Sequence, residues 1–330
     1  MSKFNQNVAV IGCGYWGTII VNNLKKIVTK KIYIFDKNFD NLLNLKKKIP
    51  SVILINNLDE LIKNKKINNF FLITPPSENF SIIKKLIYHK KNIFIEKPGL
   101  LKKKNFNEII KLNKKNKNII MIGYIYLFNK NIRIIKKIIK NKKLGKILFI
   151  KSLRENLGPI RTDVDCNFDL ASHDISILKY LFEDKINIKR VIKHKILNKK
   201  NTDISTINSY IKNINIEIKT SWLNPEKIRK LIIIGSKKML VYNEMEERNK
   251  ILIYNQYANY PKIKKFNKMI FSNIPKIYKG SFKTINSIKN DPLKDEINHF
   301  FKCIKLNKKP LTDIYFGKNI LDTLLKIKIC

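Results

Sequence analysis

The stretch Val8-Ala9-Val10-Ile11-Gly12-Cys13-Gly14-Tyr15-Trp16-Gly17 decides the fold. Four apolar residues run into a glycine turn, and residues 15–27 beyond it carry the 3.6-residue periodicity of an amphipathic helix. Strand, glycine turn and helix in that order open a βαβ unit of the dinucleotide-binding kind. Each glycine has its own task. Gly12 permits a tight turn, Gly14 lets the backbone approach a pyrophosphate, and Gly17 allows the helix to pack closely on the strand. Tyr15 and Trp16, on the same loop, are candidate cofactor contacts.

Working outward, short apolar runs alternate with amphipathic stretches through residue 122. Strands are expected at 8–11, 31–35, 52–55, 69–73, 92–95 and 118–122, with helices at 15–27, 78–89 and 103–116. This is the rhythm of a doubly wound parallel sheet. Asp36 ends the second strand 24 residues after Gly12, where an acidic side chain accepts hydrogen bonds from an adenosine ribose diol. Its charge repels a 2′-phosphate, so NAD is expected rather than NADP, although Lys37 beside it leaves NADP open. Glu96-Lys97-Pro98 falls just past the fifth strand, at the carboxyl edge where open α/β sheets bind ligands. A lysine there suits stabilisation of a developing alkoxide.

After Gly123 the rhythm changes. A helix is expected at 130–140, a strand at 147–153, a loop containing Gly158 and Pro159, and a short helix at 170–182. Consecutive β-rich runs follow at 186–196, 205–211, 214–222, 228–235, 239–243 and 250–257. Strands without intervening helices argue for a mostly antiparallel sheet in an α+β domain. Residues 258–292 show no period and read as a surface excursion, and helices return at 293–304 and 314–327. The expected organisation is therefore a Rossmann domain over 1–122 and an α+β domain over 123–330, the latter binding substrate.

In Asp169-Leu170-Ala171-Ser172-His173-Asp174 the four-residue spacing puts Asp169 and His173 on one helix face. A carboxylate beside an imidazole orients it and raises its basicity, the arrangement of a general base. A single His is more often structural, and His89, His194 and His299 take that reading by default. Asp174 reads equally well as an ordinary acid at a helix N-terminus.

Composition narrows the partners. The 330 residues hold 68 Lys and Arg against 25 Asp and Glu, a net charge of +43, which on its face suggests a nucleic-acid binder. The charge is spread evenly, 24 basic against 7 acidic residues over 1–120 and 44 against 18 over 121–330, and only six of the basic residues are Arg. Lys, Asn and Ile, all encodable by codons of A and T alone, crowd every stretch. A coding bias explains this better than specific nucleic-acid binding, for which forked Arg contacts are the preferred chemistry. The chain is 44% hydrophobic and 10% aromatic, enough for a real core. Cys13, Cys166, Cys303 and Cys330 show no metal-ligand spacing and no disulfide framework, so no metal is expected and a reducing cytoplasm fits. The longest apolar run, 119–128, is half the length of a membrane span. No charged leader precedes the first strand.

Together these elements resemble the Gfo/Idh/MocA oxidoreductases. The resemblance extends to Thr74-Pro75-Pro76 after the fourth strand, Ser221-Trp222-Leu223-Asn224-Pro225, Gly235-Ser236-Lys237-Lys238-Met239 and Glu296-Ile297-Asn298-His299-Phe300. Within the family the likeness is to nucleotide-sugar dehydrogenases that oxidise the 3-hydroxyl of UDP-N-acetylglucosamine or its uronate. It is carried by 12–17, by Glu155-Asn156-Leu157-Gly158-Pro159-Ile160-Arg161 and by 168–175. The resemblance implies catalytic roles for Lys97, Asp169 and His173, cofactor contacts from Gly12 to Gly17, Asp36, Thr74, Pro75, Glu96 and Lys97, a homo-oligomer (dimer or tetramer) and no membrane or nucleic-acid partner. Two departures stand out. Asn79 replaces a histidine that many relatives carry, and 162–167 lacks the subgroup's charge pattern.

In a chain where drift favours Lys, a remaining Arg in a motif is a better forked anion contact. Arg154, Asn156 and Arg161 are therefore expected to bind substrate with His173, the two arginines facing its diphosphate or a uronate carboxylate. The rival readings are another sugar or cyclitol dehydrogenase, and a non-catalytic NAD-binding regulator. Spacing alone leaves open which of Lys97 and His173 takes the proton.

Overall fold

A computed structural model describes residues 3–197, 200–260, 262–265, 268–271 and 274–329; Cys330 lies outside the described residues. The chain divides into two compact units, Met1–Phe128 with Asp291–Asp322, and Asn129–Asn290 with Thr323–Cys330.

The first unit is built on six strands, β1 (Asn7–Ile11), β2 (Ile32–Phe35), β3 (Ile53–Leu54), β4 (Ile67–Leu72), β5 (Asn92–Glu96) and β6 (Ile120–Gly123). All pair in parallel in the order β3-β2-β1-β4-β5-β6. The order reverses between β1 and β4, the switch point outside which such sheets bind ligands. Helices α1 (Tyr15–Ile27), α2 (Phe39–Lys48), α3 (Leu58–Lys63), α4 (Asn79–Tyr88) and α5 (Lys103–Asn116) follow the first five strands. Periodicity did not predict α2 and α3. Each buries only two side chains, Leu42 with Leu45 and Leu61 with Ile62, and each is set instead by an Asn cap, Asn38 and Asn57.

The second unit contains α6 (Lys130–Lys140), β7 (Ile147–Leu157), α7 (Ser172–Phe182), β8 (Asn187–His194), β9 (Ile204–Ile211), β10 (Ile214–Ser221), β11 (Leu223–Gly235), β12 (Met239–Asn243) and β13 (Ile251–Tyr254). A further strand, β14 (Phe282–Ile285), completes an eight-stranded sheet in the order β14-β13-β12-β11-β7-β10-β9-β8. Only β7 and β10 pair in parallel; the other neighbours are antiparallel. Part of the expected surface excursion is thus an edge strand, too short for its alternation to show. The rest includes the two-stranded ribbons Tyr257–Asn259 with Lys276–Tyr278 and Lys262–Lys265 with Lys268–Phe271.

The expected boundary needs correction. The chain leaves the first unit after Phe128 rather than at 122, and α8 (Pro292–Leu306) returns to it with most of α9 (Ile314–Ile329). The reason is an aromatic cluster. On α8, Phe300 sits 5.5 Å from Phe71 and 5.9 Å from Phe94, while Phe301 stacks on Phe4 at 3.8 Å. Among the described residues no helix is long and apolar enough to cross a membrane.

Candidate active site

In the first unit the candidate residues gather at the carboxyl ends of β1, β2, β4 and β5. Gly12 has φ +96°, and a Cβ there would lie 2.7 Å from the Ile73 backbone, so only glycine lets the loop pass the end of β4. A Cβ on Gly17 would fall 2.0 Å from the Gly12 carbonyl oxygen, whereas one on Gly14 would meet nothing within 4 Å. The loop is therefore closed against the protein at its two ends and open at its middle. That open middle lies at the start of α1, a helix N-terminus of the kind that favours anions. Tyr15, 85% exposed, rides on it.

Asp36 is fixed by the same loop. Its Oδ2 accepts from the Cys13 backbone N–H at 2.6 Å and its Oδ1 from that of Asn38 at 2.8 Å. The neighbouring Lys37 ammonium lies 2.9 Å from Glu78, so the cation that would greet a 2′-phosphate already faces a carboxylate. Burial and the Asp36 charge push the Cys13 thiol up to about 12, which keeps it protonated and inert.

The turn after β4 is joined to the turn after β5 by Asn79. The Thr74 hydroxyl donates to Asn79 Oδ1 at 2.7 Å, and Asn79 Nδ2 donates to the Gly99 carbonyl at 2.7 Å. The departure from histidine at 79 thus has a structural use: a buried amide with a donor and an acceptor spans the two turns. Pro75 is exposed, and Thr74 and Lys97 are half-buried. Glu96, the last residue of β5, accepts from the Trp16 indole Nε1 at 3.0 Å.

Behind Glu96 lies a group that the sequence placed in a motif but gave no role. Glu296 on α8 is 1% exposed, and its Oε1 has no hydrogen-bond partner among the described residues. Burial, aided by the charge of Glu96, pushes its carboxyl well above the ordinary range. An acid raised in the folded state lends full stability below its unfolded pKa of 4.5 and loses it as pH rises from there toward the folded value. Glu296→Gln is expected to remove that loss, so its melting temperature should exceed the parent's at pH 7.5 and match it near pH 4.5. Melting curves across this range check it; equal curves at pH 7.5 would refute it.

In the second unit, Asp169 sits in a π turn, Asn167–Ala171, that leads into α7. The helix expected from 170 thus opens with a wider turn, a form frequent at functional sites. Asp165 starts it, accepting from Phe168 N–H at 3.0 Å. The Trp222 indole Nε1 donates to Asp169 Oδ2 at 3.2 Å, and Arg161 Nη1 lies 3.8 Å from Asp169 Oδ1. His173 is half-buried in the first turn of α7. Asn167, 1% exposed, has neither amide atom bonded to protein among the described residues.

One expected substrate contact is corrected here. Arg154 is 4% exposed and holds Asp174 from two nitrogens, Nε at 2.8 Å and Nη2 at 3.2 Å, while Ser152 donates to the same carboxylate at 2.8 Å. The pair ties α7 to β7, and Asp174 is its anchor rather than a plain N-terminal acid. Asn156 is half-buried, its Oδ1 accepting from Arg229 Nη2 and its Nδ2 donating to the Gly158 carbonyl. Arg229, missed in the sequence because no motif contains it, thereby holds the loop. Arg161 is different. It is 39% exposed and forked onto Asp163 at 2.7 and 2.9 Å.

Residues 6–124 match the oxidoreductase family with an NAD-binding Rossmann fold. Within the first unit, the chain is thus similar to the Gfo/Idh/MocA oxidoreductases over its Rossmann domain. A relative by sequence is the myo-inositol 2-dehydrogenase of Thermotoga maritima, 25% identical over 185 residues, covering 54% of this chain and 55% of that protein. The chain spans about half the length of the curated relatives it matches. The fold as a whole is shared with the UDP-N-acetylglucosamine 3-dehydrogenase of Acidithiobacillus ferrooxidans, at TM-score 0.79 and 17% identity over 99% of this chain and 97% of that one. It is shared equally with the scyllo-inositol dehydrogenase of Lactobacillus casei, solved with NAD(H) and scyllo-inositol, at TM-score 0.77 and 14% identity over 98% and 96%. A parallel Rossmann sheet joined to a mixed-sheet α+β domain is thus a fold that this chain shares with these solved structures.

Proposed function

We propose that the protein is an NAD-dependent dehydrogenase that oxidises a hydroxyl, the 3-hydroxyl in the reading we favour, of a nucleotide-linked sugar such as UDP-N-acetylglucosamine or its uronate. What supports the nucleotide-sugar part is Arg161, 39% exposed beside Asp169, whose fork, now on Asp163, would pass to a diphosphate or uronate carboxylate. The open Gly14 loop and the loop-anchored Asp36 are the residues that would hold the diphosphate and the adenosine ribose. Bound NAD supplies the two-electron acceptor.

The roles of the chain's own residues follow from their chemistry. His173 takes the hydroxyl proton as a neutral imidazole, and Asp169 orients it or accepts from a neighbouring hydroxyl. Lys97 donates to the reacting oxygen and lowers the cost of charge building there. Arg161 contacts the diphosphate or the uronate carboxylate. Homo-oligomerisation belongs to the same reading. Leu252, Val241 and Ile232, and beside them Tyr254, Met239, Ile234 and Phe149, stand in register as apolar rows across β13, β12, β11 and β7, and the solution mass tests it.

A second reading, an inositol-type dehydrogenase, is favoured by the Thermotoga relative. Any retained nucleotide is identified first; NADH formation is then followed by absorbance with UDP-N-acetylglucosamine, its uronate and inositol. Turnover of inositol alone would overturn the nucleotide-sugar assignment. Arg161→Lys is expected to raise KM for the nucleotide sugar about tenfold, the loss of one forked contact, and an unchanged KM would remove Arg161 from the substrate site.

A further inference from the structure

The sequence contains two tryptophans, Trp16 and Trp222, one in each unit. Both give their indole N–H to a carboxylate that is near a candidate catalytic residue in the chain. Trp16 bonds Glu96, the neighbour of Lys97, at 3.0 Å, and Trp222 bonds Asp169, four residues before His173, at 3.2 Å. We infer that the two indoles are positioning residues, Trp16 coupling the glycine loop to the turn that carries Lys97, and Trp222 fixing the carboxylate that serves His173.

The geometry supports each half. Trp16 is the second residue of α1, on the loop whose middle is open, and Glu96 closes β5 eighty residues later. A shift of the loop is passed through that hydrogen bond to the β5 turn, which Asn79 holds from its other end at Gly99. Glycine at 123 leaves the space this carboxylate occupies, since a Cβ there would lie 3.0 Å from Glu96 Oε2. Trp222 is completely buried against Cys166 and Leu170, which flank Asp169 in sequence. Its ring is therefore fixed by packing, and its N–H fixes Asp169 Oδ2 while Oδ1 stays toward Arg161. Indole nitrogen only donates, so neither bond reverses when protons move during turnover.

This inference rests on the NAD-dehydrogenase reading for its kinetic consequences but not for its geometry, and the test separates the two. In the full cofactor-free chain labelled with 15N-tryptophan, two indole N–H signals are expected. Glu96→Leu should move one and Asp169→Leu the other, Trp16→Phe serving to assign them. If either signal stays in place when its carboxylate is removed, that clamp is overturned, whatever the enzyme does. For function, Trp16→Phe is expected to weaken NADH binding about tenfold by calorimetry, the effect of one hydrogen bond to a charged group. Trp222→Phe is expected to lower kcat about tenfold and shift the pH midpoint of kcat, which a purely structural ring would leave in place. Variants that fold like the parent and stay within twofold in Kd, kcat and pH midpoint overturn the positioning roles. If Trp222→Phe does not fold, the response of its signal to Asp169→Leu decides. A parent chain that binds no NADH and oxidises none of the alcohols refutes the proposed function, and the indole signals still report on the clamps.

Discussion

Replacing Arg154 with Met is expected to destabilise the fold by about 3–5 kcal/mol, the usual cost of stranding one partner of a buried ion pair. The Asp174 carboxylate is 3% exposed and would keep only the Ser152 hydroxyl. Urea unfolding measures the loss, and a change below about 1 kcal/mol would mean that the pair is not desolvated as described. Removing both charges, with Arg154→Met and Asp174→Leu together, should recover much of the loss, because an apolar pair of similar volume often replaces a buried salt bridge at little cost. The exposed Arg161–Asp163 pair offers a contrast, since surface forks contribute at most about 1 kcal/mol.

Lys97→Met is expected to lower kcat about 100- to 1000-fold, the scale seen when one preorganised donor to a developing oxyanion is removed. The measurement is steady-state turnover with the best alcohol found in the substrate screen, repeated across pH. His173→Asn should cause a loss of similar size. The two differ in the profile: the variant lacking the base loses the limb of the kcat–pH curve that reports its deprotonation. That comparison decides which of Lys97 and His173 takes the proton. If both variants turn over within threefold of the parent, the assigned chemistry is wrong.

The Rossmann sheet was legible because each local signal agreed with the next. The glycine turn, the alternation of apolar runs and the acid at the end of β2 all belong to one short-range pattern. What the sequence concealed was long-range. Nothing near residue 96 announces that Trp16, Asn79 and Glu296 gather around the β5 turn, because each comes from a different element. Arg154 was misread for the same reason. Its scarcity as an Arg was informative, since a fork was indeed needed, but its partner was the buried Asp174 twenty residues on rather than a ligand. Strand alternation on β7 identifies 154 as an inward position only once the covered face of the sheet is known. The helices α2 and α3 were hidden by their lysine- and asparagine-rich faces, the same background that gives the chain its charge of +43.

The return of α8 to the first unit has a consequence for how the chain is made. The sheet from β1 to β6 leaves the ribosome early, yet Phe300 and Phe301, which cover Phe71, Phe94 and Phe4, follow only after residues 129–290. At ordinary synthesis rates that interval is roughly 10–30 seconds. During it the nascent Rossmann sheet carries an uncovered phenylalanine surface, so the first unit is completed only after most of the second has been made.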